Sequence, residues 1–180
     1  MLSTLDTPYV DLLLIHWPGQ TGSKPINSTD PACTGPASSP KACRQSTWKA
    51  METIFADGKG AARAIGVSNF EVNHLQDIEE LDGLLPSVNQ CEFHPFWHPD
   101  ALLAYCAARG ITFNGYSPIG APDVSVTHGW DLRVHPDIVA IAKRVNKSPA
   151  QVRDVEGSVP CTASTCHPQP PQLTCIRVRI

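Results

Sequence analysis

Residues 9–17 read YVDLLLIHW, and the fold class turns on them. The run is apolar almost throughout, of strand length, and closed by Pro18-Gly19, as expected of a strand buried on both faces. Strands of that kind belong to parallel sheets clothed by helices. Residues 19–45 follow, rich in Gly, Ser, Thr and Pro and without periodicity. They exceed an ordinary connection in length, and their place directly after a buried strand marks them as a functional loop.

Working outward, strands and helices alternate. In 46–59, Trp48, Met51, Ile54 and Phe55 recur at helical spacing, and Gly58 and Gly60 supply the stop. Residues 63–68 (RAIGVS) form a short apolar strand, and Val72, Leu75, Ile78 and Leu81 then mark one face of a second helix. A strand at 87–93, a helix at 98–109 with Leu102, Leu103 and Cys106 inward, and a strand at 111–117 complete four β/α repeats. This order implies parallel strands joined by right-handed crossovers. After an irregular stretch comes a helix over 135–145, with Ile138, Val139, Ile141 and Ala142 on its face. Ser148-Pro149-Ala150-Gln151 is a capping box that announces another helix. The pattern breaks at Val152. Residues 153–180 are rich in Cys and Pro and are expected to be an irregular, disordered tail, as a retained intron or shifted frame would produce, with a genuine regulatory tail as the alternative.

Composition narrows the function classes. Apolar residues make up 42% and charged residues 17%, the ordinary range of soluble globular proteins, and no apolar run approaches the length of a membrane helix. The N-terminal stretch has no basic region before its apolar run, so it does not read as a secretory signal and the default expectation is the cytoplasm. A net charge of −3 without a Lys/Arg run argues against nucleic acid and acidic lipid as partners. The seven cysteines lack metal-ligand spacing: Cys33 and Cys43 fall in the polar loop, and Cys161 and Cys166 beside His167 read as free thiols in the tail. No metal site is expected. Asn27-Ser28-Thr29 fits the glycosylation pattern but is read as a chance match without a signal for secretion.

In parallel β/α architectures the loops after the C-terminal strand ends build the site, so polar residues there carry the information. His16 and Trp17 close the first strand, Ser68 and Asn69 the second, Asn89 and Gln90 lie in the third, and Tyr116 and Ser117 end the fourth. Alone, each reads as a polar cap; together they describe one mouth.

The segments VDLLLIHWP, ARAIGVSNF, PSVNQCEFHP and GYSPIGAPD, in this order and spacing, resemble consecutive segments of aldo-keto reductases, from about Leu5 to Val152. The resemblance implies an α/β fold of the (β/α)8 TIM-barrel family. A chain of 180 residues falls short of the roughly 250 that a closed barrel uses, so an incomplete barrel of about four β/α units over 1–152 is expected. It implies NADP(H) as cofactor and a small-molecule carbonyl compound as substrate. By resemblance His16 is the catalytic histidine, a neutral imidazole donating a hydrogen bond to the substrate oxygen, and Trp17 walls the substrate pocket. Ser68, Asn69 and Gln90 match the side chains that hold the nicotinamide carboxamide, and Tyr116 the ring stacked on its face. Ser117 and Ile119 match positions along the pyrophosphate, and Asp123 a residue that helps close a strap over the cofactor.

The departures are as informative. The family's Asp, Tyr and Lys precede the segment matching Leu5 to Pro18, and Tyr9, Tyr105 and Tyr116 are not at the catalytic tyrosine position. Ala121 stands where many members place a phosphate-contacting hydroxyl, and the basic residues for the adenosine 2′-phosphate have no counterpart. Three functions are therefore open: an oxidoreductase completed from elsewhere, a non-catalytic nicotinamide binder, and an inactive truncated product. A four-stranded sheet would keep open edges, through which self-association is expected.

Overall fold

The computed structural model describes residues 4–19, 29–57, 60–119 and 131–152. The elements in chain order are β1 (Leu13–Ile15), α1 (Pro31–Thr34), α2 (Pro40–Ala56), β2 (Ile65–Ser68) and α3 (Val72–Glu79), followed by β3 (Val88–Glu92), α4 (Asp100–Ala108), β4 (Thr112–Tyr116) and α5 (Pro136–Arg144). The four strands form one sheet in the order β1-β2-β3-β4. β1 pairs parallel to β2 with Leu13, Leu14 and Ile15 opposite Ile65, Gly66 and Val67, and β2 pairs parallel to β3 with Val67 and Ser68 opposite Asn89 and Gln90. Sequential neighbours in a parallel sheet require helical crossovers, which α2, α3 and α4 supply.

Close strand approach explains the glycine in IGVS. A Cβ on Gly66 would lie 2.6 Å from the Val88 carbonyl oxygen and 2.8 Å from a Leu14 methyl, so any side chain there would push β2 off its neighbours.

By internal packing the described residues fall into two units. The first runs to Cys91 and includes Asp100–Asn114; the second holds Glu92–Pro99 and the residues from Gly115 on. In the first unit Trp48, Ile65, Val67, Phe70, Leu75, Ile78 and Cys106 form a continuous core, each at most 2% exposed. Trp48 also donates its indole N–H to the Leu84 carbonyl at 2.8 Å, so its one polar atom is satisfied. In the second unit Leu132, Ile138 and Ala142 are buried, and α5 starts with Pro136 at its first position. The capping box forms as expected: the Ser148 amide donates to Gln151 Oε1 at 2.9 Å and the Gln151 amide to Ser148 Oγ at 3.2 Å. None of the helices among the described residues is long and apolar enough to cross a membrane.

Two expectations change. β1 is shorter than 9–17, and all three of its residues are only half-buried, whereas β2 is buried throughout. The reason is position: β1 ends the sheet, with β2 as its one neighbour among the described strands. The loop expected over 19–45 also holds more structure than its composition suggested. Asp30 caps the short helix α1, accepting from the Ala32 amide at 2.8 Å, and α2 begins at Pro40 behind the N-cap Ser39, well before residue 46. Cys33 and Cys43 are joined in a disulfide that links α1 to α2. On α2 itself Trp48 and Met51 are buried, while Ile54 and Phe55 are each 39% exposed.

Candidate active site

Three strand ends meet at Asn69. β2 stops there because the backbone turns into the left-handed region (φ 62°), a conformation Asn tolerates better than most residues. The turn aims Asn69 donors at both neighbouring strands and at Ser68. The Asn69 amide donates to the Gln90 carbonyl at 2.9 Å, and Nδ2 donates to the His16 carbonyl at 2.9 Å and to Ser68 Oγ at 3.2 Å. The Ser68 hydroxyl in turn donates to the Gln90 carbonyl at 2.7 Å. His16, Ser68, Asn69 and Gln90, named separately from sequence, thus form one hydrogen-bonded cluster across the ends of β1, β2 and β3.

The His16 imidazole is exposed, with the Trp17 ring tilted beside it at a centroid distance of 5.7 Å. Trp17 is 51% exposed and borders an open depression of about 70 Å³ lined by Ile15, Pro18, Gly19, Cys43, Arg44, Thr47 and Phe70. Small-molecule sites typically enclose about 300 Å³ or more, so the depression is part of a pocket wall rather than a whole site. Arg44 organises it. Its guanidinium pairs with the Asp77 carboxylate on α3 and donates to the Pro18 carbonyl at 3.3 Å, tying the segment after His16-Trp17 to the helices. Arg44 and Phe70 were not singled out from sequence, because nothing in their local pattern shows that they face the end of β1.

Asn89 has a structural task. Fully buried, it donates from Nδ2 to the Phe70 carbonyl at 2.9 Å and accepts from the Cys91 thiol at 3.3 Å. Burial pushes the Cys91 thiol up to about 11, so it is protonated at neutral pH and is no nucleophile.

The second unit holds the remaining predicted residues. The Tyr116 carbonyl accepts from the Phe93 amide at 3.1 Å; Ser117 adopts a left-handed conformation (φ 51°), and Ile119 is half-buried. Asp123 lies outside the described residues. A buried pair that sequence reading passed over lies in this unit: His94 Nε2 is 3.1 Å from Glu92 Oε1, and His94 Nδ1 accepts from the Phe96 amide at 3.3 Å, which places the ring proton on Nε2 facing the carboxylate. Among the described residues no group of three or more His, Cys, Asp or Glu side chains is placed to hold a metal ion.

The donors and acceptors decide whether the cluster suits a nicotinamide. Ser68, Asn69 and Gln90 carry only hydroxyl and amide groups, matching a neutral carboxamide that both donates and accepts. Ser68 and Asn69 already direct donors within the cluster. The half-buried Gln90 contributes its backbone carbonyl to the cluster, accepting from Ser68 Oγ and the Asn69 amide. The residues fit that part of the cofactor.

A strand-ordered parallel sheet with a polar cluster at its C-terminal ends is consistent with part of a β/α barrel, and comparison with known proteins agrees. The aldo/keto reductase family profile matches residues 1–152. The chain is 43% identical over 155 residues to aldo-keto reductase family 4 member C11 of Arabidopsis thaliana, covering 83% of this chain and 45% of that protein. It is 38% identical over 165 residues to aldo-keto reductase family 1 member A1 of Xenopus tropicalis, covering 84% of this chain and 46% of that protein. Among solved structures, an aldo/keto reductase from Brucella melitensis superposes with a TM-score of 0.62 at 30% identity over 84% of this chain and 47% of its own. The chain belongs to the aldo/keto reductase family, and its sheet is an incomplete (β/α)8 barrel of about four β/α units. It spans about half the length of the relatives it matches.

Proposed function

We propose that this chain carries the nicotinamide-facing part of an aldo-keto reductase that reduces aldehydes or ketones to alcohols with NADPH in the cytoplasm. The observation that carries the reading is the Asn69-centred cluster, which joins the Ser68 and Asn69 side chains to the backbone carbonyls of His16 and Gln90 at one end of one sheet. NADPH, when bound, supplies a hydride to the carbonyl carbon. Asn69 fixes the backbone of His16, so the exposed imidazole has a defined origin from which to donate to the substrate oxygen. Trp17 would wall the substrate pocket, and Ser68, Asn69 and Gln90 would hold the nicotinamide carboxamide. Tyr116 would supply the stacking ring, Ser117 and Ile119 would run along the pyrophosphate, and Asp123 would help to close the strap.

The proton must come from other strands. Tyr9 lies before β1, at the end away from His16, under the Arg63 guanidinium. Tyr105 on α4 donates to Glu79 at 2.6 Å, and its hydroxyl is pushed up to about 12, first by burial and then by that carboxylate. Tyr105 so held does not serve as a general acid near neutral pH, a role worth about 10²- to 10⁴-fold in rate, and Tyr9 stands at the wrong end of β1 to reach the same substrate oxygen as His16.

The test is titration of the purified chain with NADPH, following nicotinamide fluorescence, then addition of an aromatic aldehyde while absorbance is recorded. Saturable binding without NADPH oxidation is expected of the chain by itself. Turnover would show a proton donor within this chain; no binding by folded protein would favour the second reading, a catalytically inactive fragment.

A further inference from the structure

We propose that Cys33 and Cys43 form a reversible thiol–disulfide site that sets the order of the segment beside the His16-Trp17 end of β1. The bond joins α1 to α2 across a sequence separation of 10. α1 spans four residues, too few to persist by backbone hydrogen bonding alone, so its order depends on ties to α2. The covalent tie is this bond; a polar one is the Ser46 hydroxyl, which donates to the same Asp30 carboxylate that caps α1. Cys43 lines the depression with Trp17 and Pro18, and its chain neighbour Arg44 holds the Pro18 carbonyl. The state of the bond therefore bears on the wall next to the candidate catalytic histidine. The other cysteines of the described core, Cys91 and Cys106, are free and buried, leaving this pair as the redox-active sulfur among the described residues.

The inference rests on the cytoplasmic placement above, since a disulfide in that compartment is usually transient or redox-sensing. The chemistry needs a dithiol reductant of the thioredoxin type. Its thiolate attacks the half-buried Cys43 sulfur, the S–S bond breaks, and Cys33, buried at 8% exposure, leaves as thiolate and takes up a proton. The reductant's second thiol then displaces Cys43 as a thiol. Two electrons and two protons pass to the pair, and the dithiol becomes a disulfide.

The test uses the full 180-residue chain without nucleotide. Alkylation and peptide mapping should find Cys33 linked to Cys43 after equilibration with oxidised glutathione, and both alkylated after reduced thioredoxin. Amide exchange through α1 and the first turn of α2 should be about tenfold or more faster in the reduced chain, with α4 unchanged. Cys33→Ser should match the reduced chain under both conditions. Linkage of either cysteine to Cys161, Cys166 or Cys175, no linkage at all, resistance to thioredoxin, or equal exchange in both states would overturn the proposal. The readout contains no NADPH, so failure of cofactor binding is distinguishable from failure of the switch.

Discussion

Asn69 does more than its place in SNF suggests. Its carboxamide reaches back to the His16 carbonyl and sideways to Ser68 Oγ, and its backbone sits at φ 62°. Asn69→Ala removes both side-chain bonds and strains the turn, and should destabilise the fold by about 2–3 kcal/mol in urea unfolding. Asn69→Gly keeps the turn and loses only the side-chain bonds, so about 1–1.5 kcal/mol is expected. Equal losses for the two variants would mean that backbone strain plays no part. The polar identity of Ser68, Asn69 and Gln90 was legible in the sequence. Which atoms they use was not, because the His16 carbonyl comes within reach only once β1 is paired with β2.

At the scale of elements, α2 is decided by Trp48. The side chain has no exposed surface, packs in the core of the first unit, and satisfies the Leu84 carbonyl. Trp48→Ala should cost about 3–5 kcal/mol, the range for deleting a large buried aromatic. Trp48→Phe keeps much of the apolar area and loses a hydrogen bond to a carbonyl on the exposed residue Leu84, where water can take the place of the indole, so about 0.5–1.5 kcal/mol is expected from that bond. Chemical denaturation followed by far-UV circular dichroism checks both, and a Phe variant as damaged as the Ala variant would sink the role given to the indole N–H. The helical spacing of Trp48 and Met51 predicted this face. The true start of α2 was missed since Ser39-Pro40 lies in a stretch whose composition reads as loop, and the disulfide that brings Cys33 to Cys43 is a matter of tertiary proximity.

For the whole molecule, burial falls toward the margins of the sheet. β2 is buried at every residue and β3 at all but one, while β1 and β4 have no buried residue. Parallel strands are stable when both faces are covered, so we propose that the two outer strands associate with other copies. Sedimentation velocity of the isolated chain should show concentration-dependent oligomers; a monodisperse monomer with a sharp cooperative melt would contradict this. Stability should also depend on pH in the alkaline range. Burial holds the Cys91 thiol at about 11 against an ordinary 9.0, and pushes Cys106 up in the same direction. The unfolded chain loses these protons first, so their contribution is intact below pH 9 and lost between about 9 and 11. Cys91→Ala should flatten that part of a stability profile measured by urea midpoint, and an unchanged slope would show that other groups set it.

Alternation of strands with helices, the parallel run of the strands and the polar residues at their C-terminal ends are all written in the amino-acid sequence. Each of those follows from local periodicity, turn chemistry and composition within a few residues. Folding adds the half-buried margin at β1, the linking of three strands by Asn69, the hold of Arg44 on the chain after Trp17, and the meeting of Cys33 with Cys43. These contacts join residues distant in sequence or depend on which strand has a neighbour, and no local pattern encodes either until the sheet has formed.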